Sequence, residues 1–250
     1  MNPNIKIVSL SANIAAGKSL LLSSAQEILK TNKYVSNITI LGKLKNAFFS
    51  LFGIKTLPTI VFIHEPTNVW IDTICANGKS IFENYYTNPN EWSFRFQLMA
   101  LVSRIDVIKS AIKKNPQAKV FVIERSPDDD FFIFANKLHG DGFISDDEMM
   151  LLDKYRAQWT TEFVPLVQHV VYLNTSVEIC LSRKNIRCRI GENGVDEGLL
   201  ESVGMYTSEY IAMMRSTRGN NVVIELNGAL DKDSDEYMIM VCKFIDCCVA

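Results

Sequence analysis

The stretch Ser9–Leu20, SLSANIAAGKSL, follows the largely apolar run IKIV at 5–8 and leads into a segment with helical spacing. Its second half matches the phosphate-loop pattern G-x-x-x-x-G-K-[ST] at Gly17, Lys18 and Ser19. Ala12, however, stands where the first glycine belongs. A strand before and a helix after is the context such a loop requires, because backbone N–H groups then converge on phosphate oxygens beside the positive end of the helix. Asn13, Ala15, Ala16 and Gly17 would supply that backbone. Lys18 would reach the β- and γ-phosphates, and the Ser19 hydroxyl would join a Mg²⁺ shell. If position 12 needs a positive φ, alanine there costs about 1 kcal/mol, which strains the loop without abolishing it.

Outward from this loop, five β-branched-rich runs read as strands: IKIVSL (5–10), TIVFIH (59–64), KVFVIE (119–124), HVVYLN (169–174) and NVVIEL (221–226). Each is nearly continuous in apolar residues, as expected of strands buried on both faces of a parallel sheet. Segments with helical spacing separate them, among them Ser93–Lys114 and Asp146–Val170. Alternating strand and helix predicts an open α/β sheet with right-handed crossovers. No repeat, low-complexity tract or Pro/Gly linker divides residues 1–250, so the expectation is one domain. The stretch 31–58, with its apolar cluster AFFSLFGI, reads as an insertion with a small core of its own. The tail MIMVCKFIDCCVA suits either a helix or a strand.

Bulk properties exclude several classes. A formal net charge of −2 gives no pull toward nucleic acid or anionic membrane. Six cysteines lack C-x-x-C or Cys/His zinc spacing and read as free thiols of a reducing compartment. No signal-peptide pattern and no apolar run of about 18 residues is present, so the expectation is a soluble, cytoplasmic protein.

Further candidates gather at strand ends. Glu65 in HEPTNVW follows the second run, and Glu124 and Arg125 in ERSPDDD close the third. Open parallel sheets bind ligands at this edge, where a carboxylate can act as general base or metal ligand. In YYTNPNEWSFRFQLMALVSRI (85–105), Phe96, Gln97, Ala100 and Arg104 share one side of a helix. An aromatic, an amide and a guanidinium suit a nucleobase, which has a π-face and a hydrogen-bonding edge. Arg183, Arg187 and Arg189 in SRKNIRCRIGEN (182–193) fit a lid that closes over transferring phosphates.

Taken together, NIAAGKS, EPTNVW, YYTNPNEWSFRFQ, ERSPDDDFFIFA and SRKNIRCRIGEN resemble the deoxynucleoside kinase family, in the family's order, from residue 5 to about 193. The resemblance implies a phosphate-loop kinase fold with a five-stranded parallel sheet, usually a homodimer, that moves the γ-phosphate of ATP to the 5′-hydroxyl of a deoxynucleoside. By the same resemblance Glu65 is the base, Lys18 and Ser19 anchor phosphate and Mg²⁺, and Glu124 shares the metal. Arg125 orients Glu65 and the 5′ end of the sugar. Tyr86 and Glu192 hold the 3′-hydroxyl, Gln97 reads the base edge, Phe96 and Phe134 enclose the ring, and Trp70 lines the pocket. Arg183, Arg187 and Arg189 correspond to the lid arginines. Base selectivity in the family turns on the positions held here by Ala100, Arg104 and Asp130, which together favour deoxycytidine or purine deoxynucleosides over thymidine. The departures are Ala12, Ser11 in place of a usual glutamate, the long first crossover, and a chain beyond residue 200 that does not align. Two other readings share the fold. A nucleoside monophosphate kinase would lack PNEWSFRFQ, and a non-catalytic structural relative would have no need of Lys18, Ser19, Glu65 and Glu124.

Overall fold

A computed structural model describes residues 5–30, 59–163, 167–189 and 192–249, so the expected insertion at 31–58 lies outside the described residues. Five strands form one sheet: β1 (Lys6–Ser11), β2 (Ile60–Ile63), β3 (Val120–Glu124), β4 (Val167–Asn174) and β5 (Val223–Asn227). Their order is β2-β3-β1-β4-β5, and every pairing is parallel. The first strand thus sits in the middle. The chain builds to one side of it through β3 and to the other from β4 onward. A sheet that reverses direction about a central strand opens a crevice at that strand's carboxyl end. The loop after β1 occupies that crevice.

Alternation along the strands divides the core in two. Ile7, Phe121 and Ile123 face one layer, with the stacked pair Trp159 and Phe163 at its far side. Val8, Leu10, Val120 and Val122 face the other, against Leu21 and Leu22 of α1 (Lys18–Lys30). Burial on both faces explains why these strands read as continuous apolar runs.

Between β2 and β3 come α2 (Thr67–Asp72), α3 (Ile81–Thr87) and the long α4 (Pro89–Lys114). After β3 a single helical stretch, α5, runs through Pro127–Asp129, a π-helical Asp130–Ala135 and Asn136–Gly140. A Ser126/Asp129 capping box starts it. Then follow α6 (Asp146–Glu162), α7 (Val177–Arg187), α8 (Glu197–Arg218) and α9 (Asp235–Val249).

One expectation needs correction and one open choice is decided. The helical spacing read over Asp146–Val170 overshoots, because α6 ends at Glu162 and Val167–Val170 belongs to β4. There the β-branched residues pair with β1 and take the segment into the sheet. The undecided tail is a helix. Tyr237, Met240, Val241, Phe244, Ile245 and Cys248 are buried at helical spacing and pack into the layer that holds α1.

The third finding concerns Ala12. Its φ is not positive; the left-handed residues of the loop are Ala15 at φ 57° and Gly17 at φ 107°. Ala12 is instead fully buried, and its methyl belongs to the core layer behind the loop. Alanine is therefore the better residue at 12, and position 15 carries the strain. Ala12→Gly is expected to lower stability by about 1–2 kcal/mol, through a lost buried methyl and added unfolded-state freedom. Ala15→Gly should be neutral or gain up to about 1 kcal/mol. Urea unfolding of the two variants checks the contrast.

Candidate active site

A cavity of about 660 Å³ runs from the loop after β1 to the aromatic face of α4. Every site residue expected from the sequence lines it except Asn13. The Asn13 side chain turns away and donates to the Leu200 carbonyl of α8 at 2.8 Å, while the Asn13 backbone carbonyl accepts from Lys18 Nζ at 3.0 Å. On the far side of the loop, Arg183 Nη1 donates to the carbonyls of Ala16 at 2.9 Å and Gly228 at 2.7 Å. The loop is thereby tied to α7, α8 and the turn after β5. Gly17 lies so close to this brace that a Cβ would come 3.3 Å from Arg183 Nη1. Burial and the nearby Arg125 lower the Lys18 pKa to about 8, against the opposing pull of Glu65, Glu124 and Asp129.

Two carboxylates stand at neighbouring strand tips. Glu124 accepts from Ser19 Oγ at 2.6 Å, and its other oxygen lies 3.3 Å from His64 Nδ1. Burial pushes its pKa up, but the bonds from His64 and Ser19 and the charge of Lys18 outweigh burial and hold it at about 2. An ionised oxygen ligand beside a hydroxyl suits a hard divalent cation that takes its remaining ligands from phosphate and water. Among the described residues no cluster of three or more His, Cys, Asp or Glu forms a self-sufficient metal cage. Glu65 is gripped by two guanidiniums, Arg104 Nη2 at 3.2 Å and Arg125 Nε at 3.1 Å. Arg125 itself is left-handed at φ 63°, held there by its backbone N–H on the Leu10 carbonyl at 3.0 Å, and lies 4.6 Å over the Phe134 ring.

The far end is aromatic with one ionic spot. Phe96 stacks on Tyr85 at 4.5 Å and meets Trp70 edge-on at 5.4 Å, while Trp70 Nε1 donates to Ser103 Oγ at 2.9 Å. Gln97 and Ala100 are buried on the same face of α4. Arg104 clamps Asp130 through Nε at 2.7 Å and Nη2 at 2.9 Å, and donates Nη1 to the Glu124 carbonyl at 2.9 Å. Burial disfavours its charge, yet Asp130 and Glu65 more than compensate and raise its pKa. Burial pushes the Asp130 carboxyl up, and the charge and two N–H bonds of Arg104 oppose that shift and favour the ionised pair. At the mouth, Glu192 takes Arg187 Nη2 at 2.5 Å and Arg189 Nη1 at 3.4 Å. Burial and the Tyr85, Glu192 and Glu65 side chains drive the pKa of Tyr86 well up, so its hydroxyl stays protonated.

Some participants escaped the sequence reading. His64 was legible only as the neighbour of Glu65. Asp129 is fully buried, accepting from Ser11 Oγ and from Ser126 N at 2.8 Å, and so links the exit of β1 to the start of α5. Ala229–Lys232 line the cavity beyond β5, a place the strand-tip rule predicts once β5 is known to join the same edge.

A parallel sheet with a phosphate loop after its central strand, and carboxylates at the next two tips, defines a phosphate-loop kinase. The chain belongs to the deoxynucleoside kinase family, whose family model matches residues 45–246. The phosphate loop lies upstream of that span and is a separate observation. A fowlpox virus protein named as a probable deoxycytidine kinase is 28% identical over 224 residues, covering 89% of this chain and 79% of that protein. The deoxycytidine kinase of Bos taurus is 24% identical over 233 residues, with 86% and 78% covered. That of Homo sapiens is 24% identical over 221 residues, with the same shares.

The Arg104–Asp130 pair should respond unequally to its two removals. Arg104→Met leaves Asp130 buried without its clamp, at an expected cost of about 3–5 kcal/mol. Asp130→Ala leaves Arg104 still bonded to Glu65 and the Glu124 carbonyl, so the loss should be smaller. Chemical denaturation of both variants measures the difference.

Proposed function

We propose that the protein transfers the γ-phosphate of ATP to the 5′-hydroxyl of a deoxynucleoside, as one domain and with deoxycytidine or purine deoxynucleosides preferred over thymidine. The observation that carries this reading is the placing of Glu65. It is held by Arg104 and Arg125 between a phosphate loop and an aromatic pocket that ends in an ionic pair. Phosphoryl transfer asks the protein mainly for positioning and charge compensation. The loop from Asn13 to Ser19 would hold the donor phosphates, with Lys18 and the lid residues Arg187 and Arg189 balancing their charge. Arg183 would contribute by bracing the loop, given its bonds to Ala16 and Gly228. Mg²⁺, held by Ser19 and Glu124, would neutralise charge on the transferring group.

Glu65 would accept the 5′-hydroxyl proton as that oxygen attacks. Arg125 keeps the carboxylate aimed and has a buried Nη1 with no partner among the described residues, a donor suited to the sugar's 5′ end. Tyr86 and Glu192 would hold the 3′-hydroxyl. Phe96 and Phe134 would enclose the base, Trp70 would wall it, and Gln97 would read its edge. The Asp130 carboxylate accepts hydrogen bonds, so it favours an exocyclic amine and repels the O4 of thymine. Arg104 can donate to N7 or O6 of guanine. The relatives named as deoxycytidine kinases support the same preference.

We also read the active form as a homodimer. Val102 on α4 and Met150, Leu151 and Tyr155 on α6 are exposed apolar side chains, and the two helices are joined by the Lys109–Glu162 pair at 3.3 Å. No described helix is long and apolar enough to cross a membrane.

The direct test is phosphorylation of the four deoxynucleosides at equal concentration with ATP and Mg²⁺. Deoxycytidine or a purine deoxynucleoside should lead and thymidine should trail; a strong thymidine preference would refute the pocket assignment. Glu65→Gln should cut turnover by about 10²-fold or more with deoxynucleoside affinity largely kept, and a normal rate in that variant removes Glu65 as the base.

Lys18 gives a pH signature. Its charged form favours phosphate, so bound ATP raises its pKa above the value of about 8 in the free protein. ATP affinity should therefore be flat below pH 8 and fall, by at most about tenfold per pH unit, as pH rises above it. Calorimetric titration from pH 7 to pH 9.5 should show this fall in the wild type and not in Lys18→Met.

A further inference from the structure

His64 sits one residue past the end of β2, and Glu65 follows it. Successive side chains in extended chain point to opposite sides. Glu65 accordingly meets Arg104 and Arg125, while His64 turns to Glu124 at the tip of the neighbouring strand. The pairing is a product of register. Ile63 lies beside Ile123, so the next residue on each strand is brought together.

The contact completes a division of labour on one carboxylate. Oε1 of Glu124 takes the Ser19 hydroxyl from the first turn of α1, and Oε2 lies 3.3 Å from Nδ1 of His64. One bond leaves a carboxylate free to swing about its last torsion; two bonds from separate elements fix it. An ionised carboxylate can only accept, so the proton of this bond lies on Nδ1. Glu124 is buried, whereas the His64 side chain is 41% exposed and does not line the cavity. The imidazole therefore stands behind the carboxylate and leaves the ligand side open.

We infer that His64 is a positioning residue that fixes the Glu124 carboxylate for the divalent cation accompanying the phosphate donor. This rests on the reading above that Ser19 and Glu124 form the metal side of the site. Outer partners of metal-binding carboxylates are worth about 10- to 100-fold in metal affinity when removed. The loss here should fall on the metal and spare the deoxynucleoside.

The test uses binding in place of turnover. ATP affinity of the full chain is measured by calorimetry with Mg²⁺ and again with a chelator, and the ratio of the two gives the metal's contribution. Deoxynucleoside affinity is measured alongside, without metal, from tryptophan fluorescence. His64→Ala should reduce the ratio by about tenfold or more and leave deoxynucleoside affinity unchanged. His64→Asn presents an N–H the same number of bonds from the backbone as Nδ1, so it should restore the ratio to within about threefold of wild type. An unchanged ratio in His64→Ala overturns the inference and leaves the proposed function standing. Equal weakening of every affinity, with no rescue by asparagine, overturns it in favour of a merely structural histidine. A wild-type ratio of one would remove the metal side itself, and the inference with it.

Discussion

The guanidinium of Arg104 holds together parts of the site that would otherwise repel. Glu65, Glu124, Asp129 and Asp130 converge from the end of β2, the end of β3 and the start of α5. Arg104, buried on the long helix α4, bonds two of these carboxylates and the backbone carbonyl of the third. Burying one charge is costly, and burying several of the same sign is worse, unless each is paired and hydrogen-bonded. One side chain with a planar fork of five donors can satisfy that demand in several directions at once, which a lysine ammonium could not. The ionic spot at the end of the pocket and the aim of the carboxylate at its centre are thus one arrangement, and disturbing either disturbs the other.

Backbone strain falls where the geometry needs it. Of the three left-handed non-glycine residues among those described, Ala15 lies in the loop after β1 and Arg125 directly follows β3, while Cys188 caps α7. Such a conformation costs about 1–2 kcal/mol and persists only where the surroundings over-determine it. For Arg125 those surroundings are its N–H bond to the Leu10 carbonyl and the capping box that begins one residue later. For Ala15 they are Asn13 anchored to α8 and Ala16 anchored to Arg183 and Thr175. The loop's shape is imposed from outside as much as by its own sequence.

That explains what could be read in the sequence and what could not. β1 and β3 were legible because burial on both faces leaves an apolar run that needs no partner to be recognised, and the less buried β2, β4 and β5 were legible from their β-branched residues. The loop, Glu65, Glu124 and the face of α4 carrying Gln97 and Arg104 were legible because their chemistry is local or periodic. Whether Ala12 is strained stays open in the sequence because a pattern assigns a glycine position without saying which backbone angle it serves. His64 was missed because its partner lies 60 residues away and meets it only through the register of β2 against β3. The π-helical turn of α5, which places Asp130 toward Arg104 and Phe134 toward Arg125, leaves no mark in residue spacing either.

At the mouth of the cavity one cluster of charges would link the two proposed substrates. Glu192, almost fully buried, is bonded by Arg187 and Arg189. Under the proposed roles the arginines serve the donor phosphates and the carboxylate serves the sugar. Each group is then occupied by the other until its own partner arrives. A phosphate that drew Arg187 away would leave Glu192 with only the longer contact to Arg189, a deficit that a sugar hydroxyl could relieve by donating to it. A sugar that engages Glu192 in turn weakens its hold on the arginines. Under those roles, exchange of this ion pair for a phosphate and a sugar hydroxyl would make the binding of each favour the binding of the other.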